Sequence, residues 1–225
     1  MGQTSVCVHG RIIFSALLYN NFVIAIVDYG MGNLRSVEKG FQKVGIGAEV
    51  VSDARDIDDA NAVVLPGVGA FRDCMRNLEK KSLIEPILRS IEKGKPYLGI
   101  CLGLQVLFAE SEEFGAHQGL GIFLGKVVRF HTDLKVPHMG WNTVDLIRRP
   151  PLFEGIKDSS FFYFVHSYYV VPEDDAIIAA KTAYGTEFVS MAWRENVFAT
   201  QFHPEKSQDD GLRILKNFGN FVRRS

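Results

Sequence analysis

Cys101, His203 and Glu205 are the side chains of this sequence best suited, by type and setting, to nucleophilic chemistry. Cys101 stands in Tyr97-Leu98-Gly99-Ile100-Cys101-Leu102-Gly103-Leu104-Gln105, where an apolar run ends in a Gly-x-Cys-x-Gly step. Such a step reads as a strand turning sharply into a helix, with the thiol at the turn and glycines where side chains would collide with strand and helix. The N–H groups and dipole of a helix N-terminus favour thiolate over thiol. Far downstream, Gln201-Phe202-His203-Pro204-Glu205 supplies an imidazole to move protons and a carboxylate to hold it in one tautomer. Alone, the cysteine reads equally as an inert core residue, and the histidine as structural. In this order on an α/β chain the three converge on a Cys-His-Glu triad. Pro66-Gly67-Val68-Gly69 follows an apolar run. By itself it is an ordinary turn, but beside a nucleophile it is a candidate oxyanion loop, because backbone N–H groups approach a ligand closely only where side chains are absent. The Leu102 N–H, directly after the nucleophile, is the second candidate donor. There is no Gly-Lys-Ser/Thr and no Gly-x-Gly-x-x-Gly to favour a phosphate.

The elements that must position these groups follow from periodicity. Phe22 to Val27, Ala48 to Val51, Ala62 to Leu65 and Tyr97 to Ile100 read as buried strands. Between and after them, Asn33 to Val44, Arg72 to Lys80, Leu83 to Glu92 and Leu102 to Ala109 read as helices. This alternation predicts an α/β fold: an open, largely parallel sheet flanked by helices, with ligands at the carboxyl ends of the strands. Asp28-Tyr29-Gly30, the Pro66 loop and Cys101 all fall at those ends. The second half is strand-rich, with candidates at Lys126 to Phe130, Thr143 to Ile147, Phe161 to Val165, Tyr168 to Val171, Ile177 to Lys181, Phe188 to Trp193 and Val197 to Phe202. Several are expected to pair antiparallel, extending the sheet or forming a small second one. A last helix runs from Asp209 to Val222.

The 225 residues, 47% of them hydrophobic, suit one domain over residues 22–225. Residues 1–21 read as a dispensable extension, whose Arg11 to Leu18 run is too short to span a bilayer. A net charge of −1 steers neither nucleic acid nor an anionic membrane. Cys7, Cys74 and Cys101 show no CxxC spacing, which favours a reducing, cytoplasmic setting and argues against a structural metal.

Gly99-Ile100-Cys101-Leu102-Gly103-Leu104-Gln105 with His203-Pro204-Glu205 resembles the class I, triad-type glutamine amidotransferases, over about residues 22–225. Asp28-Tyr29-Gly30-Met31-Gly32-Asn33, Pro66-Gly67-Val68-Gly69-Ala70-Phe71, Val136-Pro137-His138-Met139-Gly140-Trp141-Asn142 and His203-Pro204-Glu205-Lys206-Ser207 are further similar to the glutaminase-subunit family of imidazole glycerol phosphate synthases, of histidine biosynthesis. The resemblance implies glutamine hydrolysis through a Cys101 glutamyl thioester, with no cofactor. It implies Val68 and Leu102 N–H groups as oxyanion donors, and glutamine held by Gly69, Gln105, Glu113, Ser167 and Tyr168. It implies a heterodimer whose partner is a (βα)8 synthase subunit, receiving ammonia without release to solvent and making imidazole glycerol phosphate and an aminoimidazole carboxamide ribonucleotide. Asn33, Met139, Trp141, Tyr163 and Lys206 are the implied interface residues, Met139 and Trp141 in a loop bracketed by Pro137 and Gly140.

Composition alone makes Trp141 a core residue and places Glu113, in the run Glu110-Ser111-Glu112-Glu113, on a solvated face. Two other readings stay open. One is a glutaminase serving another synthase, of pyridoxal phosphate, anthranilate or GMP. The other is a non-catalytic, redox-sensing protein on the same scaffold, with Cys101 as the sensor thiol.

Overall fold

The computed structural model describes residues 22–225. The extension expected over residues 1–21 lies outside them. The chain runs β1 (Ile24–Val27), α1 (Leu34–Lys43), β2 (Ala48–Val51), α2 (Ala54–Asp59), β3 (Ala62–Gly67), α3 (Phe71–Lys80), α4 (Ile84–Glu92), β4 (Tyr97–Cys101) and α5 (Leu102–Gln105). It continues through β5 (Phe108–Ser111), β6 (His117–Gln118), β7 (Phe123–Arg129), β8 (His138–Leu146), β9 (Ser160–His166), β10 (Tyr168–Pro172), β11 (Ile178–Tyr184), β12 (Thr186–Arg194), β13 (Val197–Thr200) and α6 (Gln208–Val222). Nine strands form one sheet in the order β2-β1-β3-β4-β13-β12-β11-β8-β9. The half from β2 to β13 is parallel and the half from β13 to β9 antiparallel. The remaining four strands form a second sheet, β10-β7-β5-β6. Both of the arrangements expected for the later strands therefore occur.

The parallel strands are apolar throughout because both faces are covered. On β1, Ala25 and Val27 pack with Ile57 of α2, Phe71 and Leu78 of α3 and Ile87 of α4. Ile24 and Ile26 point the other way, toward Val37 and Phe41 of α1 and Leu215 and Phe218 of α6. The second sheet joins the first of these cores through Phe108, Phe123, Val127 and Val170.

Two expectations need correction, and one element is added. The helix expected over Leu102 to Ala109 is a single turn, followed by strand β5. The carbonyls of Val106, Leu107 and Ala109 accept hydrogen bonds from Leu120, Phe123 and Gly119 rather than from a following helical turn. Gly119 permits that approach, since a Cβ there would overlap the Phe108 carbonyl. Met139 and Trp141 lie on strand β8 rather than in a loop. The short helix α2 is an addition to the expected elements; its six residues bury only Ile57 and carry too little periodicity to be read. Among the described residues no helix is long and apolar enough to cross a membrane.

Candidate active site

Cys101 ends β4 and caps the single turn α5 with φ +57° and ψ −104°, a left-handed setting rare for a residue with a side chain. The neighbouring glycines are what allow it. A Cβ on Gly103 would overlap the Leu65 carbonyl of β3, and one on Gly99 would overlap the Gly103 carbonyl. The strain, about 1–3 kcal/mol for such backbone, is held by packing between strands buried on both faces. Since α5 is only one turn long, the helix dipole expected to favour a thiolate is slight here.

Parallel pairing of β3 with β4 sets Gly67 beside Cys101, and so brings the Val68–Gly69 loop to the sulfur. A cavity of about 330 Å³ opens above it, lined by Val68, Gly69, Cys101, Leu102, Gln105, Glu113, Pro137, Val165, His166, Ser167 and Tyr168. Every residue expected to contact glutamine or its oxyanion thus meets at one small-ligand pocket. Glu113 is nearly buried, contrary to the solvated-face reading, and its Oε2 accepts the Phe71 N–H at 2.6 Å. Burial pushes its carboxyl above the ordinary range, while the Phe71 N–H works against that. Gln105 Nε2 donates to the Tyr168 carbonyl at 3.0 Å, tying the first turn after the nucleophile to β10.

His203 follows β13 and is tied to β9 through its N–H to the Tyr163 carbonyl, 2.9 Å. Its Nδ1 lies 2.9 Å from Glu205 Oε1, both side chains being almost wholly buried. Nδ1 thus donates to the carboxylate, and Nε2 has no protein partner other than the Cys101 sulfur that it faces. Burial of the imidazole disfavours its charge, but the Cys101 sulfur and then Glu205 outweigh it and raise the pKa to about 10. A thiolate facing an imidazolium, itself held by a carboxylate, can add to a carbonyl carbon and return a proton to the leaving group.

Two side chains to which the motifs assign no role complete the polar surroundings. Gln201, fully buried, donates from Nε2 to Cys101 Sγ at 3.6 Å and accepts from Gln105 Nε2 at 3.2 Å. His166, on the cavity wall, places Nδ1 2.8 Å from the Tyr168 carbonyl and Nε2 2.9 Å from His138 Nδ1. Gln201 opens the Gln-Phe-His-Pro-Glu motif, and a polar residue closing an apolar strand is the signal that could have found it.

The implied interface residues divide. Met139 and Trp141 are 62% and 45% exposed, so Trp141 is not core. Trp141 meets Tyr163 edge-on, ring centroids 6.2 Å apart, and the Lys206 ammonium lies 5.8 Å from the centre of the Tyr163 ring. Asn33 stands apart from that group in the chain, at the residue before α1 and after the carboxyl end of β1, with no side-chain hydrogen bond to the helix. Among the described residues no group of three or more His, Cys, Asp or Glu is placed to hold a metal ion.

A sheet of this order with a strained cysteine elbow is the class I glutamine amidotransferase fold, and the chain belongs to that family: the class-I glutamine amidotransferase model matches residues 25–220. Within it, the chain is 60% identical to imidazole glycerol phosphate synthase subunit HisH of Syntrophotalea carbinolica, over 88% of this chain and 100% of that one. It is 57% identical to the HisH subunit of Geobacter sulfurreducens (87% of this chain, 97% of the relative) and 54% identical to that of Aquifex aeolicus (86% and 94%). The chain is thus a member of the HisH family. Solved structures share the fold at lower identity. They include a putative GMP synthase subunit of Thermoplasma acidophilum, with TM-score 0.67, 21% identity and coverage of 90% of this chain and 94% of that one. PurLQS of Thermotoga maritima gives TM-score 0.70 at 17% identity, covering 89% and 99%.

Proposed function

We propose that this HisH chain hydrolyses glutamine at Cys101 and delivers the ammonia to a (βα)8 synthase subunit, in the cytoplasm. The observation that carries the reading is the buried His203–Glu205 pair, with Nε2 facing the sulfur of a cysteine on a strained elbow at the cavity. The Cys101 thiolate attacks the carboxamide carbon. The resulting oxyanion is received by the Val68 and Leu102 N–H groups, each such donor being worth about 2.7–4 kcal/mol. The His203 imidazolium passes its Nε2 proton to the departing nitrogen, and ammonia leaves behind a glutamyl thioester. Neutral His203 then takes a proton from water, hydroxide adds to the thioester carbon, and thiolate and glutamate separate. Glu205 keeps Nδ1 protonated throughout, so that Nε2 is the atom that exchanges protons. The Glu113 carboxylate, fixed through Oε2, faces the α-ammonium, while Gln105, Gly69, Ser167 and Tyr168 hold the rest of the substrate.

The branched side chain of Val68 restricts the backbone rotation that would aim its N–H inward. Low turnover by the lone chain and stimulation by the liganded synthase are therefore expected. Glutamine hydrolysis with and without a (βα)8 synthase and its nucleotide ligand, in wild type and Cys101→Ala, tests the reading. Turnover in wild type that needs both partners, absent from a Cys101→Ala variant that still binds the synthase, is expected. Hydrolysis retained by Cys101→Ala would overturn it.

A further inference from the structure

We propose that Gln201 is a further catalytic residue, whose side-chain amide donates to the Cys101 sulfur and sustains the thiolate, its orientation set by a hydrogen-bond chain that reaches back to the His138–His166 pair of β8 and β9. The inference rests on Cys101 being the nucleophile.

The sulfur needs such a donor. The single turn α5 brings little dipole, and the His203 imidazolium that faces the sulfur is the group that gives up its proton during turnover. The thiol contacts the Val165 carbonyl at 3.9 Å, an acceptor that serves S–H and repels a thiolate. Gln201 Nε2 donates to this sulfur at 3.6 Å and, unlike the imidazolium, keeps its hydrogens throughout. An amide can present oxygen or nitrogen, and its neighbours decide which. Gln105 Nε2 is directed at the Tyr168 carbonyl, an obligate acceptor, so the atom of Gln201 beside that amino group must be oxygen. The Gln201 amino group is left facing the sulfur.

The same logic runs beyond Tyr168. Its carbonyl also accepts from His166 Nδ1, so His166 Nε2 is an acceptor and His138 Nδ1 carries the proton between the two rings. His138 Nε2 is then an acceptor, and Asn142 Nδ2 stands 3.2 Å from it. Burial holds His166 near pKa 3 and His138 near 4, keeping both neutral as this arrangement requires. Every amide and tautomer from β8 to the nucleophile thus has one allowed orientation. A buried glutamine that only satisfied itself would not require its amino group on sulfur.

The test is alkylation of the full chain by iodoacetamide across neutral and alkaline pH, with mass spectrometry locating the product at Cys101. The His203 imidazolium, coupled to this sulfur, titrates in the same range and is followed by ring NMR in each variant, while buried Tyr29, raised above the ordinary phenol range, stays neutral. In Gln201→Met the Cys101 rate at neutral pH is expected to fall about tenfold, and the profile to move to higher pH with its alkaline plateau retained. Gln201→Glu, closer in shape and facing the sulfur with an acid, is expected to move it further and carries the test if the methionine variant does not fold. His138→Phe, three hydrogen bonds away from Gln105, is expected to move the profile in the same direction by a smaller amount. An unmoved profile in a folded Gln201 variant overturns the proposal even if glutamine hydrolysis is lost, since Gln201 would then be structural. Glutamine hydrolysis by Cys101→Ala would instead remove the reading beneath it.

Discussion

His203 decides how the site behaves with pH. Burial alone would lower its pKa, yet the Cys101 sulfur and Glu205 carry it to about 10, so the imidazolium is the resting form at neutral pH. Because the folded value lies above the ordinary 6.5, the stabilisation is complete below that value and is lost as pH rises toward 10. Replacing Glu205 with Gln removes one of the two supporting charges. His203 should then titrate at lower pH by ring NMR, and the alkaline limbs of hydrolysis and of thermal stability should move down with it. Hydrolysis at neutral pH should fall by about 10²–10⁴-fold through loss of tautomer and charge control. Limbs that stayed in place would show that the carboxylate does not support the ring. The triad is legible at this scale because Gly-x-Cys-x-Gly and His-x-Glu are local patterns. The buried setting of Glu113 is not, because the N–H from which its carboxyl accepts belongs to Phe71, on another element.

At the scale of elements, the elbow works because β3, β4 and α5 touch without side chains between them. Gly103→Ala would drive a Cβ into the Leu65 carbonyl, and rigid backbone on both sides leaves nothing to yield. The variant is expected to lose about 1–3 kcal/mol or more by chemical denaturation and to show slowed Cys101 alkylation, since the turn that presents the sulfur must shift. Unchanged stability would mean that β3 and α5 are free to separate. The strands and helices before Cys101 are readable from apolar runs and helical spacing. The helix after it is overread, since Leu104, Leu107 and Phe108 fit a helical face, but carbonyls from Val106 onward pair with the chain near Gly119 and Phe123.

Over the whole molecule, one short segment does two things. Strand β8 pairs antiparallel with β9, setting Met139 opposite Val165, Trp141 opposite Tyr163 and Thr143 opposite Phe161, on one face. His138, paired with His166 of the cavity wall, faces the other way, into the core. The outer face, with Phe161 59% exposed beside Met139 and Trp141, lies at the edge of the nine-stranded sheet and fits the proposed docking of the synthase. Trp141→Ala should weaken binding of the synthase by about 2 kcal/mol or more, roughly thirtyfold, as aromatic anchors do. It should leave the melting temperature and the intrinsic alkylation of Cys101 unchanged. Equal affinity in the variant, by titration calorimetry, would move the interface elsewhere.

What the sequence determined by itself was whatever is encoded within a few residues: the buried strands, the helical stripes, the elbow, the His-x-Glu pair and the resemblance carried by Pro-His-Met-Gly-Trp-Asn. What the tertiary structure decided were the pairings between distant segments. Gln201 and Gln105 are separated by 96 positions and His138 from His166 by 28, yet each pair shares a hydrogen bond. Nothing in local propensity specifies which buried polar groups will satisfy one another. That follows only when the sheet brings them together away from water, where an unpaired donor or acceptor costs about 1–3 kcal/mol. For the same reason Trp141 reads as core in composition and is exposed in the fold, since the face a strand residue occupies is set by register with its neighbour rather than by its own hydrophobicity.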